Sequence, residues 1–341
     1  MSGKCMIRYL LLYIILVFLL LSTSCKRGQF NVDISEIEFE LDIMRLDQEI
    51  FTLNQDSIEA SLDRLYNTYG DFFDVYNVHI LNIGAASERY YPTYLSMFIN
   101  DPRNKELFEY TNSVFTDLEP LESDIEQALK RYMYHFPDSI PPEIVFYISG
   151  FNLGLFSVGN YIGVGLDQYL GRECAYYDQL GMAEYMQYNK YPGKIPSDAM
   201  YALASSLFPY NDSIDNVINR MIYGGMLHYF VKALLPETGD STIIGFSPDQ
   251  MKWCRNNEKQ MWAFLIEHKL LFSSDDLTIR KLTEHAPSTQ YYTIESPGRA
   301  AIWQGWQIVK AYARRNPQAS LYDIMVFRDY QRILQESRYD P

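Results

Sequence analysis

The amino-acid sequence predicts an α+β fold, predominantly helical, with one small glycine-rich β-sheet. Three observations carry this expectation. Apolar and aromatic residues recur at helical spacing over residues 45–137, and again over 196–341. Between them, residues 142–167 combine β-rich runs with closely spaced glycines. No internal repeat divides the chain, so residues 32–341 read as a single globular domain.

The elements follow in order. Residues 32–44 (VDISEIEFELDIM) alternate apolar and polar with period two and predict a strand, with Glu36, Glu38 and Glu40 on its solvated side. Helical patterns follow at 48–52, 57–69, 75–81, 91–99 and 106–115. The clearest covers 118–136, where Leu121, Ile125, Leu129, Tyr132, Met133 and Phe136 trace one apolar face and Asp117 or a neighbour caps the start. Pro137, Pro141 and Pro142 stop it. Residues 144–149 (IVFYIS) and the glycine-bearing run 155–166 predict a hairpin or a pair of adjacent strands, with the glycines at turns and bulges. A tyrosine-rich loop over 174–191 leads into helices at 196–207 and 213–235, the latter the most apolar of the mature chain. Ser247 caps a helix that has Pro248 at its first position and runs to about Lys269. A long helix at 297–315 and an amphipathic segment at 321–335 complete the chain.

The N-terminus predicts export. Lys4 and Arg8 precede thirteen unbroken apolar residues (9–21), and Ser22-Thr23-Ser24 then lead into Cys25. A basic flank, a short apolar run and small residues before a cleavage point make a secretory signal over residues 1–24. The apolar run is shorter than the roughly 20 residues a spanning helix needs. The cysteine behind the small residues resembles a bacterial lipobox, with Ser22 where leucine is commonest and Leu21 one place earlier. On that reading Cys25 is diacylated, residues 25–31 form a tether, and the domain is held to a membrane by lipid. The alternative is an uncleaved, strongly tilted anchor helix over 9–24; both place the domain beyond the cytoplasm.

Removing residues 1–24 leaves 27 basic against 43 acidic residues, a net charge of −16. Such a chain repels nucleic acid and anionic headgroups, which argues against a nucleic-acid partner. Cys174 and Cys254 are the cysteines left beyond the signal and the anchor. They either pair in an oxidising compartment or stay apart as buried thiols.

Motifs of catalysis are sparse. There is no CxxC, no HExxH, no GxSxG elbow and no GxxxxGK[ST] phosphate loop. The most unusual stretch is Tyr223-Gly224-Gly225-Met226-Leu227-His228-Tyr229, inside the most apolar helix. A zinc protease carries His-Glu-x-x-His on such a helix, with imidazoles at i and i+4 on the metal and the glutamate activating water. In that register this chain has Gly224, Gly225 and His228, so only the second histidine is present. Two glycines inside a helix cost about 1 kcal/mol each relative to alanine, which predicts close backbone packing against another element. A lone buried His228 reads as a hydrogen-bonded core residue, and no metal or cofactor is expected.

Several pieces together resemble the gliding motility lipoproteins called GldB. They are the N-terminal lipobox, Ile43-Met44-Arg45-Leu46-Asp47, the stretch 142–167 with its GFN and IGVGLD segments, and Leu170-Gly171. Further on come 221–236, 258–262 (EKQMW), Ser296-Pro297-Gly298-Arg299 and 303–309 (WQGWQIV). The resemblance implies a scaffold like that of gluzincin zinc proteases with a degraded active-site helix. Residues 143–167 would then lie beside a protease-like cleft, with Glu258 or Glu267 near the third-ligand position and Gly225 replacing the general base. It also implies a link to the motility machinery.

The functional expectation is a non-catalytic, membrane-anchored envelope lipoprotein that binds another envelope protein. Its place would be a periplasm-facing leaflet of a Gram-negative membrane, since Lys26-Arg27-Gly28-Gln29 lacks an acidic surface-export run. The alternative is an active metal-dependent hydrolase with dispersed ligands such as His228, Glu258 and His285. A cleft filled by the protein's own aromatics would instead make it purely structural. The tyrosines of 176–191 either form a contact surface or cover the core.

Overall fold

The structure, a computed structural model, describes residues 30–54 and 57–341, so Cys25 and the signal segment lie outside the described residues. Residues 34–341 make one compact unit. It starts with β1 (Met44–Arg45), α1 (Leu46–Phe51), α2 (Ile58–Tyr69), α3 (Asp71–Val75) and a π-helical turn at Tyr76–Ile80. Next are α4 (Tyr91–Asn100), α5 (Pro102–Val114) and α6 (Glu119–His135). Strands β2 (Glu143–Tyr147), β3 (Leu155–Val158) and β4 (Tyr161–Gly165) follow, then α7 (Ala175–Gln179), α8 (Glu184–Gln187), α9 (Ile195–Leu207) and α10 (Val217–Leu234). The chain ends with α11 (Asp240–Ile244), α12 (Pro248–Glu267), α13 (Asp276–Thr283), α14 (Ala300–Arg315), α15 (Leu321–Val326) and α16 (Tyr330–Ser337). The fold is α+β and predominantly helical.

The sheet runs β1-β2-β4-β3, with β1, β2 and β4 parallel and β3 antiparallel to β4. β2 is buried at every position after Glu143, which is why it reads as an unbroken apolar run instead of an alternation. The two expected runs are both β-structure, but 155–166 is itself a hairpin: β3 and β4 pair antiparallel about Gly159, whose φ is +55°, and β2 pairs β4 in parallel. Gly163 serves neither turn nor bulge: a Cβ there would lie 2.7 Å from the Phe72 ring and 2.6 Å from Phe156. Those two rings stack with centroids 4.6 Å apart in the core between sheet and N-terminal helices.

The expected strand over 32–44 is corrected. Ladder pairing covers only Met44 and Arg45, although Ile37, Phe39 and Leu41 turn inward while Glu36, Glu38 and Glu40 face solvent. The alternation marks an irregular segment lying on the protein, with a turn closed by the Ile37 amide on the Ile34 carbonyl oxygen at 3.1 Å, and the Leu41 amide donates to the Glu126 carboxylate at 3.2 Å instead of to a strand. Other boundaries move for identifiable reasons. α5 starts early because Asp101 caps it ahead of Pro102. α10 starts at Val217 because Asn216, in extended backbone, accepts from the Asn219 amide at 2.9 Å. The last segment breaks at Phe327–Asp329 into α15 and α16, each with its own side-chain cap. Asp117 accepts from the Glu119 amide at 3.0 Å, and Ser247 with Gln250 forms a full capping box ahead of α12.

α10 is the central element, packed against α14, α9, α16, α13, α15 and α6. Burial all round explains why it is apolar on every face. Cys174 and Cys254 are both buried and free, so the separate-thiol alternative holds. Burial pushes the Cys254 thiol up to about 12. No helix among the described residues is long and apolar enough to cross a membrane.

Candidate functional site

The glycine pair does what its helical cost implied. A Cβ on Gly225 would lie 2.4 Å from the backbone carbon of Gly305, and one on Gly305 would lie 1.8 Å from the Met221 carbonyl oxygen. α10 and α14 therefore touch backbone to backbone. At Gly224 the neighbour is softer, the Ile302 side-chain tip at 2.8 Å. A glutamate at position 225, where HExxH would have its general base, would run into the α14 main chain.

One turn further, His228 is fully buried between Tyr201 and Trp306, at ring-centroid distances of 5.1 and 5.6 Å. Its Nδ1 lies 2.6 Å from the Gly224 carbonyl oxygen, which makes Nδ1 the donor and leaves Nε2 an acceptor. Burial, reinforced by the charge of Arg299, holds this imidazole well below the ordinary histidine range. It is a neutral base in the folded protein.

The other residues of the expected ligand set do not join it. Glu258 accepts from the Tyr339 hydroxyl at 2.7 Å and borders a separate depression with Arg314 and Arg315. Glu267 is exposed at the end of α12. His285 does share a cavity with His228. The carboxylate there is Asp198, which accepts from Lys194 at 2.6 Å and from the Tyr169 hydroxyl at 3.1 Å. Among the described residues, no three His, Cys, Asp or Glu side chains gather as a metal-ligand set.

That cavity, about 310 Å³, was not visible in the sequence. Lys190, Lys194 and Arg299 all line it, against the single carboxylate of Asp198, with Tyr169, Tyr185 and Tyr201 as aromatic walls. Local structure explains the placement. Lys194 is the N-cap of α9 and Arg299 the N-cap of α14. Gly298 is required because a Cβ there would lie 2.0 Å from the Ala286 carbonyl oxygen, and this close approach sets His285 beside Arg299. The buried Thr289 hydroxyl ties the same loop, donating to Pro297 O at 2.7 Å and accepting from the Ala300 amide at 2.9 Å. Arg299 itself is left-handed, with φ +52°, a strained conformation for a side-chain-bearing residue. Its charge is the main cause that drives His285 down to about 4.

The sheet end carries a second buried acid. Both Asp167 oxygens accept from Ser149, and Oδ2 also accepts from the Phe151 amide, clamping the Gly150-Phe151 turn, where both residues have positive φ. Desolvation pushes this carboxyl up to about 6 against the pull of those donors. The tyrosine-rich loop divides its labour. Tyr177 is core, with its hydroxyl accepting from the Leu170 amide, while Tyr188 and Tyr191 flank the Arg172 guanidinium at 4.0 and 4.3 Å. Tyr176 borders a larger open groove with Tyr110 and Phe151.

Over residues 27–341 the chain matches the family described as gliding motility protein GldB. No curated protein and no solved structure matches it.

Proposed function

This chain belongs to the GldB family of gliding motility lipoproteins, and from that membership we propose that it is a non-catalytic scaffold binding another protein of the envelope. It is lipid-anchored through Cys25 and faces the periplasm. The contact of Gly225 with the α14 backbone is the observation that carries the non-catalytic reading. The room a protease needs for its glutamate is occupied by main chain, so a simple exchange of residues would not restore HExxH. The charge of the neighbouring cavity supports the same reading, since three cations against one carboxylate oppose a divalent metal. Without turnover to perform, the domain gains from being concentrated at a membrane beside its partner.

The anchor is tested by feeding cells an alkyne fatty acid and tagging the protein. Label is expected on the wild type and absent from Cys25→Ala; label that persists in the variant contradicts the anchor. Crosslinking in the same cells, followed by mass spectrometry, identifies what the scaffold holds. Recovery of no envelope protein above the untreated control contradicts the scaffold role.

A further inference from the structure

The cavity between the start of α9, the middle of α10 and the cap of α14 holds charge that the protein does not neutralise. Lys194 is satisfied, by Asp198 at 2.6 Å, Ile243 O at 3.2 Å and Ser197 Oγ at 3.3 Å. Arg299 is not. Its one hydrogen bond goes to the Ile244 carbonyl oxygen, and no carboxylate lies within ion-pair distance of it among the described residues. Lys190 has the Gln168 side-chain oxygen at 2.6 Å and the Tyr169 ring at 5.8 Å, again with no carboxylate in ion-pair range. A part-buried cation without a counter-ion is costly. Two of them in one cavity, in a chain of net charge −14, oppose the general trend of the molecule.

Helix geometry adds to the field. The N-terminal end of a helix carries partial positive charge and ordinarily attracts acids. Here the cap residues of two helices are both cations, and both line the same cavity. α14 has no acidic residue in its first turn, and α9 has only Asp198. The charge of Arg299 lowers the proton affinity of Lys194, though less than burial does. A fold that places Arg299 at a helix N-terminus, in left-handed backbone and without a carboxylate partner, stabilises itself poorly unless something negative enters.

We propose that this cavity binds a small organic oxyanion, a carboxylate or phosphate, held by Arg299 and Lys190 over the two helix N-termini, with its carbon skeleton against Tyr169, Tyr185 and Tyr201. The volume of about 310 Å³ exceeds what a bare ion fills and sits at the lower end of small-molecule sites. Arg299 offers the planar fork that pairs with either group. The tyrosine faces suit a ring or short chain, and the hydroxyl of the half-buried Tyr185 is a further donor. His285, exposed at the same cavity, gains a proton more easily once an anion offsets Arg299. The site stands on the cavity alone and requires neither the lipid anchor nor a protein partner.

The test is calorimetric titration of the detergent-solubilised full-length protein with phenyl phosphate, benzoate and neutral benzamide at matched ionic strength. At least one anion is expected to bind below about 1 mM and roughly tenfold or more tighter than benzamide. Whichever of phenyl phosphate and benzoate binds tighter identifies the headgroup. Arg299→Gln should weaken the better anion roughly tenfold and leave benzamide unchanged. Lys190→Gln, away from both helix caps, is the second variant should Arg299→Gln fail to fold, and the same weakening is expected. Anion binding no tighter than benzamide, or undiminished in the folded variants, overturns the proposal.

Discussion

α10 and α14 meet in two ways within a few residues, and the contrast explains how this protein is built. At Gly225 and Gly305 the helices press main chain on main chain, with no room for a methyl group. Toward the Arg299 cap of α14, the same pair helps to enclose a cavity lined with surplus positive charge. The first region uses the smallest side chain available and is rigid and neutral. The second uses some of the largest cations, at helix ends where the backbone dipole disfavours them. The tight contact makes the open one possible, because a clamped helix pair can hold Arg299 in a place that its own single hydrogen bond does not secure. Stability and ligand recognition therefore rest on neighbouring but different residues.

The largest effect should come from breaking the clamp. Gly305→Ala places a Cβ on a backbone carbonyl that cannot move alone, and should destabilise the protein by about 3 kcal/mol or more in chemical denaturation. Gly224→Ala is its control. There the new methyl meets the Ile302 side chain, Cδ1 at 2.8 Å and Cγ2 at 3.0 Å, which has to shift but is not main chain, and the alanine recovers about 1 kcal/mol of helix propensity. The net loss should be clearly smaller than at Gly305. Equal losses at both positions would mean that the backbone contact is not what the glycines serve.

Acid should strain the open region next. His228 and His285 both have folded-state values below the ordinary 6.5. The unfolded chain then binds protons that the folded chain refuses, so their contribution to stability is lost as pH falls below about 6.5. For His285 the loss continues down to about 4. Asp167 works the other way: its value of about 6 lets the folded state bind a proton first, which partly offsets the loss between about 6 and the ordinary carboxylate value. Arg299→Gln should move the His285 titration back toward 6.5 and make the acid loss shallower. Lys190, Lys194 and Asp198 also act on His285, so they should remain in place in that experiment. Denaturation midpoints across this pH range, in wild type and variant, check the sign.

Much of the helical framework was legible in the chain. The Ser247-Pro248 cap, the apolar face of α6, the β-rich runs 144–149 and 155–166 and the close packing implied by Gly224 and Gly225 all rest on local rules. The segment 34–43 misled because period two reports which side is buried and says nothing of whether a partner strand exists. The cavity was illegible for a different reason. Lys190 and Arg299 are far apart in sequence, and each resembles an ordinary surface cation until the fold brings both around Asp198. Arg299 had one local signal, its place in the Ser-Pro-Gly-Arg segment after a glycine that permits close approach. The expected third ligand failed on a long-range fact as well: Glu258 faces the C-terminal Tyr339, a contact no helical periodicity specifies.

The account rests on His228 belonging to a packed helix beside an anion cavity and not to a metal centre. Elemental analysis of the full-length protein, purified without chelator alongside His228→Ala, tests this directly. The expected result is zinc far below one ion per chain in both. One zinc per wild-type chain, lost in His228→Ala, would contradict it.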